Sequence, residues 1–164
     1  MAWVLWIENE PELIERAVLR LRSKKLRCRV VDSPCEALQT LLAAHEDGKL
    51  SRLRAIVSDF DLDLADLQER INGLNFLELL SQRPPSDYRK QLLDTILEGC
   101  DPNFCTSDRA ERLLDEFQQQ DIEGILYSAR RPNDVKAFDT YGVLEVDSIF
   151  HKPSDEPALL GRLL

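Results

Sequence analysis

The chain has 164 residues, 43% of them hydrophobic, so it is long enough for one domain with a sizeable core and too apolar for a disordered segment. Its net charge of −9 argues against sequence-independent nucleic-acid binding, which depends on basic residues that neutralise phosphates. No apolar stretch approaches the ~20 residues that a membrane span requires, and the first residues do not resemble a signal peptide. We therefore expect a cytoplasmic protein that contacts neither nucleic acid nor membranes.

Strand-like and helix-like patterns alternate along the chain. Runs of β-branched, aromatic and other apolar residues predict strands at residues 3–8, 27–32, 53–58, 122–128 and 143–150. Apolar residues at helical spacing predict helices at residues 10–24, 33–46, 72–84, 87–98, 107–120 and 132–141, with a last helix near residue 159. Pro11 and Pro34 suit first helical turns, Ser33 suits an N-cap, and Gly48 and Gly142 suit helix ends.

This alternation predicts an α/β fold, with a parallel sheet that helices cover on both faces. Right-handed crossovers restrict the winding, and the flavodoxin-like strand order 2-1-3-4-5 places the first and third strands side by side. The two polar helices within residues 85–120 fall outside the repeat. We therefore predict one domain, residues 1–164, with a helical insertion at 85–120 between the third helix and the fourth strand.

Polar and charged residues follow four of the predicted strands. They are Glu8 and Asn9 after the first strand, Asp59 and Asp61 after the third, Ser128 at the end of the fourth and Lys152 after the fifth. Ligands of open parallel sheets bind beyond the carboxyl ends of the strands, where these residues are expected to converge. Carboxylates, a hydroxyl and one lysine at a single edge indicate a site for a divalent cation and a phosphoryl group.

Six short motifs, in order and spacing, make the chain resemble a response-regulator receiver domain. They are Val4-Leu5-Trp6-Ile7-Glu8-Asn9-Glu10-Pro11, Ser33-Pro34-Cys35-Glu36-Ala37-Leu38, Ile56-Val57-Ser58-Asp59-Phe60, Gly73-Leu74-Asn75-Phe76-Leu77, Ser128-Ala129 and Lys152-Pro153. The resemblance covers nearly the whole chain except about residues 64–71 and 85–120. Any one of these motifs is a weak indication of the family, and the resemblance is specific because all six occur in the order and roughly at the spacing of receiver domains.

The resemblance implies a phosphoacceptor of two-component signalling and not an enzyme that turns over substrate. Asp59 would take a phosphoryl group from a histidine kinase or a histidine phosphotransfer protein. The implied ligands of Mg²⁺ are Glu8, Asn9, Asp59 and the main-chain carbonyl of Asp61. The implied partners of the phosphoryl oxygens are Ser128 and Lys152. Phosphorylation would switch the binding of a downstream protein, for which the insertion is the expected surface.

Four features depart from the receiver pattern. Asn9 stands where a second carboxylate is usual, which removes one negative charge and should lower metal affinity. The acidic loop after the third strand is long, and its Asp63 and Asp66 are either solvated charges or substitute ligands. Ile149 occupies the usual aromatic switch position, and strand alternation points the neighbouring Phe150 to the opposite face. The helical insertion is the fourth.

Two other functions stay open. A pseudo-receiver would share the fold, never take phosphate and act only as a protein-interaction module, which Asn9, Ile149 and the insertion favour. The run Ile56-Val57-Ser58-Asp59-Phe60-Asp61 also resembles the first motif of haloacid-dehalogenase-type phosphatases, with Asp59 as nucleophile and Asp61 as general acid/base. Two strand–helix units precede Asp59 and no acidic fourth motif follows Lys152, and both facts argue against a phosphatase.

The four cysteines, Cys28, Cys35, Cys100 and Cys105, have spacings that fit neither a CxxC pair nor a zinc knuckle. We expect reduced thiols in a cytosolic protein. A redox pair of Cys100 with Cys105 is the alternative.

Overall fold

The computed structural model describes residues 1–62 and 71–164, which contain one parallel five-stranded sheet. The strands are β1 Trp3–Ile7, β2 Arg27–Val31, β3 Leu53–Ser58, β4 Glu123–Ser128 and β5 Ile149–His151. Their order is β2-β1-β3-β4-β5, which confirms the predicted flavodoxin-like arrangement. β1 and β3 pair directly, with Ile7 opposite Ser58 at the carboxyl end.

Within the described residues, seven α-helices cover the two faces of the sheet. They are α1 Glu15–Ser23, α2 Pro34–Glu46, α3 Gly73–Leu80, α4 Ser86–Glu98, α5 Ser107–Gln118, α6 Pro132–Phe138 and α7 Glu156–Leu163. The helices α1 and α7 pack on one face, while α2, α3 and α6 pack on the other and α4 and α5 lie against α2 and α3. Among the described residues, no helix has the length and apolar character needed to cross a membrane.

Local sequence signals fix where α2 and α3 begin. Ser33 Oγ accepts a hydrogen bond from the Glu36 N–H at 3.2 Å, as expected of an N-cap. Asn72 and Asn75 form a reciprocal capping box, in which each side-chain oxygen accepts from the backbone N–H of the other, at 2.7 and 3.0 Å. The start of α3 is therefore fixed at Gly73.

The last strand, β5, is much shorter than the predicted 143–150, because side chains of α6 and of the residue after it bind the backbone of residues 143 and 144. The Asp139 carboxylate accepts hydrogen bonds from the N–H groups of Val143 and Leu144, at 2.8 and 2.9 Å. Lys136 Nζ donates to the Leu144 carbonyl at 2.6 Å. These groups are therefore satisfied without a neighbouring strand, and the buried Leu144 belongs to the core without belonging to the sheet.

The segment 85–120 forms two helices, near the predicted bounds, and belongs to the main hydrophobic core. Its buried residues are Leu92, Leu93, Ile96, Cys100, Cys105, Ala110, Leu113, Leu114 and Phe117. Tyr88 also donates a hydrogen bond to Glu78 of α3 at 2.9 Å. The insertion therefore cannot be removed without exposing core side chains, and only its outer face is free to contact a partner.

A disulfide bond joins Cys35, in the first turn of α2, to Cys100, which follows α4, with the two Cα atoms 5.5 Å apart. The expectation of four reduced thiols is wrong for this pair, and the alternative pair of Cys100 with Cys105 is also wrong. Sequence spacing did not indicate the pairing, because the two cysteines have a sequence separation of 65 and only the tertiary structure brings them together. Cys28 and Cys105 are buried and free.

Candidate functional site

Backbone hydrogen bonds between strands place Glu8 and Asp59 side by side at the carboxyl edge of the sheet. The Asp59 N–H donates to the Ile7 carbonyl at 3.0 Å, and the Glu8 N–H donates to the Val31 carbonyl at 2.9 Å. Both residues thus extend the pairing of β1 with its neighbours by one position. Glu8 is completely buried, whereas the Asp59 side chain is 14% exposed at the surface.

The Lys152 ammonium lies between these two carboxylates. Its Nζ is 2.5 Å from Glu8 Oε1 and 3.3 Å from Asp59 Oδ2, and its side chain is only 11% exposed. The Lys152 N–H donates to the Ser128 carbonyl at 2.8 Å, which fixes the residue beyond the end of β5. The same Nζ lies 5.5 Å from the centre of the Tyr127 ring, within range of a cation–π contact.

Burial dominates the electrostatics of Glu8. Loss of water raises the pKa of its carboxyl group from 4.5 to about 7, even though the hydrogen bond and charge of Lys152 act in the opposite direction. The negative charge of Asp59 adds to the increase. Glu8 Oε2 is buried and has no hydrogen-bond partner among the described residues. The site therefore holds a carboxylate that is poorly compensated near neutral pH.

Ser128 ends β4 beside the Lys152 backbone and is buried. Its Oγ accepts a hydrogen bond from the Arg130 N–H at 3.1 Å, which holds the hydroxyl at the start of the loop after β4. The hydroxyl hydrogen is not used in this contact and stays available to an acceptor. The predicted residues Glu8, Asp59, Ser128 and Lys152 thus come from four strands to one edge.

Asp61 forms a two-pronged ion pair with Arg130, a residue that the sequence analysis did not single out. Arg130 Nε and Nη2 donate to the two carboxylate oxygens of Asp61 at 2.8 and 2.9 Å. The guanidinium also stacks on the rings of Phe60, at 4.9 Å, and Phe138, at 5.9 Å. The Asp61 side chain is therefore bound to Arg130, and only its main-chain carbonyl was proposed as a ligand. A single arginine in a loop gives no sequence signal for such a contact.

Gly73 allows α3 to approach the site closely. A Cβ atom built on Gly73 would lie 1.8 Å from the Asp59 carbonyl oxygen and 2.6 Å from Ser58 Oγ. The Gly73 N–H donates to the Phe60 carbonyl at 2.8 Å. A residue without a side chain is therefore required where the helix meets the end of β3.

The other residues that the sequence singled out lie around this edge or outside the described residues. Asn9 directly follows Glu8 and is half-buried. Ile149 packs on the face of α2 and α3, while Phe150 packs on the face of α1 and α7, as strand alternation predicted. Asp63 and Asp66, the suggested substitute ligands, lie outside the described residues.

The carboxylates of Glu8 and Asp59 are the charged donors at this edge that a divalent cation would use. Across residues 1–62 and 71–164, no three His, Cys, Asp or Glu side chains cluster as a metal site. Mg²⁺ nevertheless binds commonly through one or two carboxylates and keeps several waters. The unpartnered, buried Oε2 of Glu8 and the partly exposed carboxylate of Asp59 supply that number.

Comparison of the sequence with protein-family models and with curated proteins gives no match. The geometry of the site therefore carries the functional proposal.

Proposed function

We propose that the protein is a receiver-type phosphoacceptor that takes a phosphoryl group on Asp59 and thereby switches a protein–protein interaction. The observation that carries the proposal is the ammonium of Lys152, which lies between the buried Glu8 and the accessible Asp59. A partly exposed carboxylate with an ammonium group 3.3 Å away supports the proposal, because phosphoryl transfer depends on position and on charge that neutralises the phosphoryl oxygens.

In the proposed reaction an oxygen of Asp59 attacks the phosphorus atom of a phosphohistidine on a kinase or phosphotransfer protein. A P–O bond forms as the P–N bond breaks, and the donor nitrogen leaves with the electron pair and is then protonated. Lys152 would neutralise one phosphoryl oxygen, and the Ser128 hydroxyl would donate a hydrogen bond to another. The protein thus contributes position and charge, which is most of what phosphoryl transfer asks of it.

A bound Mg²⁺ would reduce the repulsion between the carboxylate and the incoming phosphoryl group. We propose Glu8 and Asp59 as its charged ligands, with the Asn9 amide and the Asp61 main-chain carbonyl as neutral ones. Because Asn9 contributes no charge, the affinity should be lower than that of a site with three carboxylates. Magnesium binding should also lower the pKa of Glu8, since a nearby cation favours the ionised carboxylate.

The switch requires a partner, and we propose the outer face of α4 and α5 as its binding surface. The inner face of these helices is part of the core, so deletion is not an informative test. Paired charge reversal at the exposed Asp87 and Asp94 of α4 leaves the buried face intact. Such a variant should still accept phosphate and should lose the partner in a binding assay.

The decisive experiment is incubation with acetyl phosphate and Mg²⁺, followed by intact-protein mass spectrometry. We expect the wild type to gain the mass of one phosphoryl group and Asp59→Asn to gain none. Asp32→Asn is the matched control, because Asp32 is an exposed aspartate just beyond the end of the neighbouring strand β2. Phosphorylation of Asp59→Asn, or its loss in Asp32→Asn, would contradict the assignment to Asp59.

A pseudo-receiver is the second candidate, and the ion pairs of the site favour it. Lys152 already compensates the two carboxylates in part, and Arg130 binds the carboxylate of Asp61. A wild-type protein that gains no phosphoryl mass at saturating donor and Mg²⁺ would support this reading. The ion pair of Arg130 with Asp61 counts against a phosphatase, because an Asp61 side chain held by Arg130 is poorly placed to transfer a proton.

A further inference from the structure

A groove of about 1280 Å³ follows β2, the edge strand of the sheet, and includes no residue of the site described above. Six exposed basic side chains line it. They are Arg22, Lys25, Arg27, Arg29, Lys49 and Arg52, and the lining contains one carboxylate, Asp47. Positive charge is thus concentrated here on a chain whose net charge is −9.

These six side chains form no ion pairs within the part of the chain that the structure describes. The ion pairs found there involve other basic residues, namely Arg109, Arg130, Lys136, Lys152 and Arg162. Basic side chains that line one groove repel one another, and an acidic ligand would relieve that repulsion. The charge of the groove therefore selects for a negatively charged occupant.

The groove also presents unpaired backbone groups of β2. Backbone bonds to the β1 segment use the N–H of Arg27 and the carbonyl of Val31, so the odd-numbered residues of β2 face β1. Backbone groups alternate along a strand, so those of Cys28 and Val30 face the other way. The Arg22 guanidinium donates to the Cys28 carbonyl from that side, at 3.1 Å. The N–H and carbonyl of Val30 are therefore directed at the groove.

The surroundings of the edge leave room for an added strand. Arg27 and Arg29 extend on the α2 side, where the groove is lined by the small side chains of Thr40, Ala43 and Ala44. On the α1 side it is lined by the buried Leu26 and the half-buried Val30. A strand beside β2 would thus place alternate side chains near arginines and near apolar surface.

We propose that the edge of β2 binds an extended acidic segment of a partner protein, which adds a strand to the sheet. Backbone hydrogen bonds to Val30 supply affinity, as in other cases of strand addition. Alternate acidic side chains pair with Arg27 and Arg29, and the apolar side chains between them cover Val30. This interaction is independent of the phosphorylation of Asp59, so Asp59→Asn is expected to bind equally well.

An acidic peptide fits this groove better than a nucleic acid does. The net charge of −9 repels a long polyanion outside the groove, whereas a short acidic strand stays within it. The outward N–H and carbonyl of Val30 also match the backbone of a peptide, and a phosphate backbone offers no donor for that carbonyl.

The test is a titration of the intact protein against a short fluorescein-labelled peptide of alternating glutamate and valine, followed by fluorescence anisotropy. We expect the paired substitution Arg27→Glu and Arg29→Glu to raise Kd by at least about tenfold. The matched control is Arg16→Glu with Arg20→Glu, two exposed arginines of α1 outside the groove, and its Kd should stay within about twofold of wild type. Hydrogen exchange at the Val30 amide should slow when the peptide binds.

Peptide controls separate strand addition from general attraction between charges. A peptide of the same composition with its glutamates and valines in separate blocks, and a backbone N-methylated version, should both bind at least about tenfold more weakly. Equal binding of these peptides, tighter binding of single-stranded oligothymidine, equal effects of the two arginine pairs, or no binding at all would each overturn the proposal. If the charge reversal fails to fold, the pair Arg27→Gln and Arg29→Gln replaces it with the same expected direction.

Discussion

Because Glu8 is buried, we predict that its ionisation changes the stability of the fold with pH, whether or not a partner or ligand is bound. Glu8→Gln keeps the shape of the side chain and removes its ionisation. In the wild type, burial raises the pKa of Glu8 from 4.5 to about 7, so the folded state holds this proton more tightly than the unfolded chain does. Ionisation of Glu8 therefore opposes folding.

The sign and the size follow from that difference. Below pH 4.5 the residue is protonated in both states, and its contribution to the free energy of unfolding is greatest. As the pH rises from 4.5 to about 7, the unfolded chain is already ionised while the folded state is not, and this contribution is lost. At about 1.4 kcal/mol per pH unit, the loss is about 3 kcal/mol.

Urea denaturation over this pH range measures the effect, and the difference between variants isolates it from other titrating groups. The free energy of unfolding of the wild type minus that of Glu8→Gln should fall by about 3 kcal/mol between pH 4.5 and pH 7 and then stay level. Glu10→Gln, at an exposed position two residues away, should follow the wild type throughout. If the free energy of unfolding of the wild type minus that of Glu8→Gln is constant or rises with pH, the reasoning is refuted. Added Mg²⁺ should reduce the slope if Glu8 binds the ion.

Three further predictions concern the packing beside the site, the disulfide bond and the charge of Lys152, and each is measured as a shift in the urea unfolding curve. Gly73→Ala should lower the free energy of unfolding by about 3 kcal/mol, because its Cβ would lie 1.8 Å from a main-chain oxygen. The control is Gly161→Ala, whose added Cβ meets no described neighbour within 4 Å, and it should be neutral or stabilising by up to about 1 kcal/mol. Equal effects of the two substitutions would contradict the close approach of α3. The disulfide between Cys35 and Cys100, with a sequence separation of 65, should contribute about 4 kcal/mol, so reduction should destabilise the wild type and leave Cys35→Ala with Cys100→Ala unchanged. A wild type insensitive to reductant would argue against this bond. Lys152→Met should lower the free energy of unfolding by about 3 kcal/mol above pH 7 and by less below pH 7, where the buried Glu8 can protonate. A loss of stability that does not depend on pH would exclude the ion pair with Glu8 as its source.

Much of the fold followed from local patterns, because those patterns report directly on backbone geometry. The run from Leu53 to Ser58 could only be a buried strand, and the observed β3 has those bounds. Ser33 indicated where α2 begins, since an N-cap acts within one helical turn. The failure at β5 has an equally local cause, because Asp139 satisfies backbone groups that the apolar pattern had assigned to a strand.

The placement of Glu8, Asp59, Ser128 and Lys152 at one edge was also predictable, because strand order and direction determine it. What could not be predicted is how these side chains and their neighbours pair. The contact between Asp61 and Arg130 joins two loops, and the bond between Cys35 and Cys100 joins α2 to the segment after α4.

The sequence by itself determined the elements, their alternation and hence the parallel sheet, since strand and helix periodicity and capping act over a few residues. The tertiary structure alone decided the desolvation of Glu8, the pairing of the cysteines and the basic edge of β2. These properties depend on distances between residues far apart in the chain and on exclusion of water, and neither quantity exists until the chain has packed.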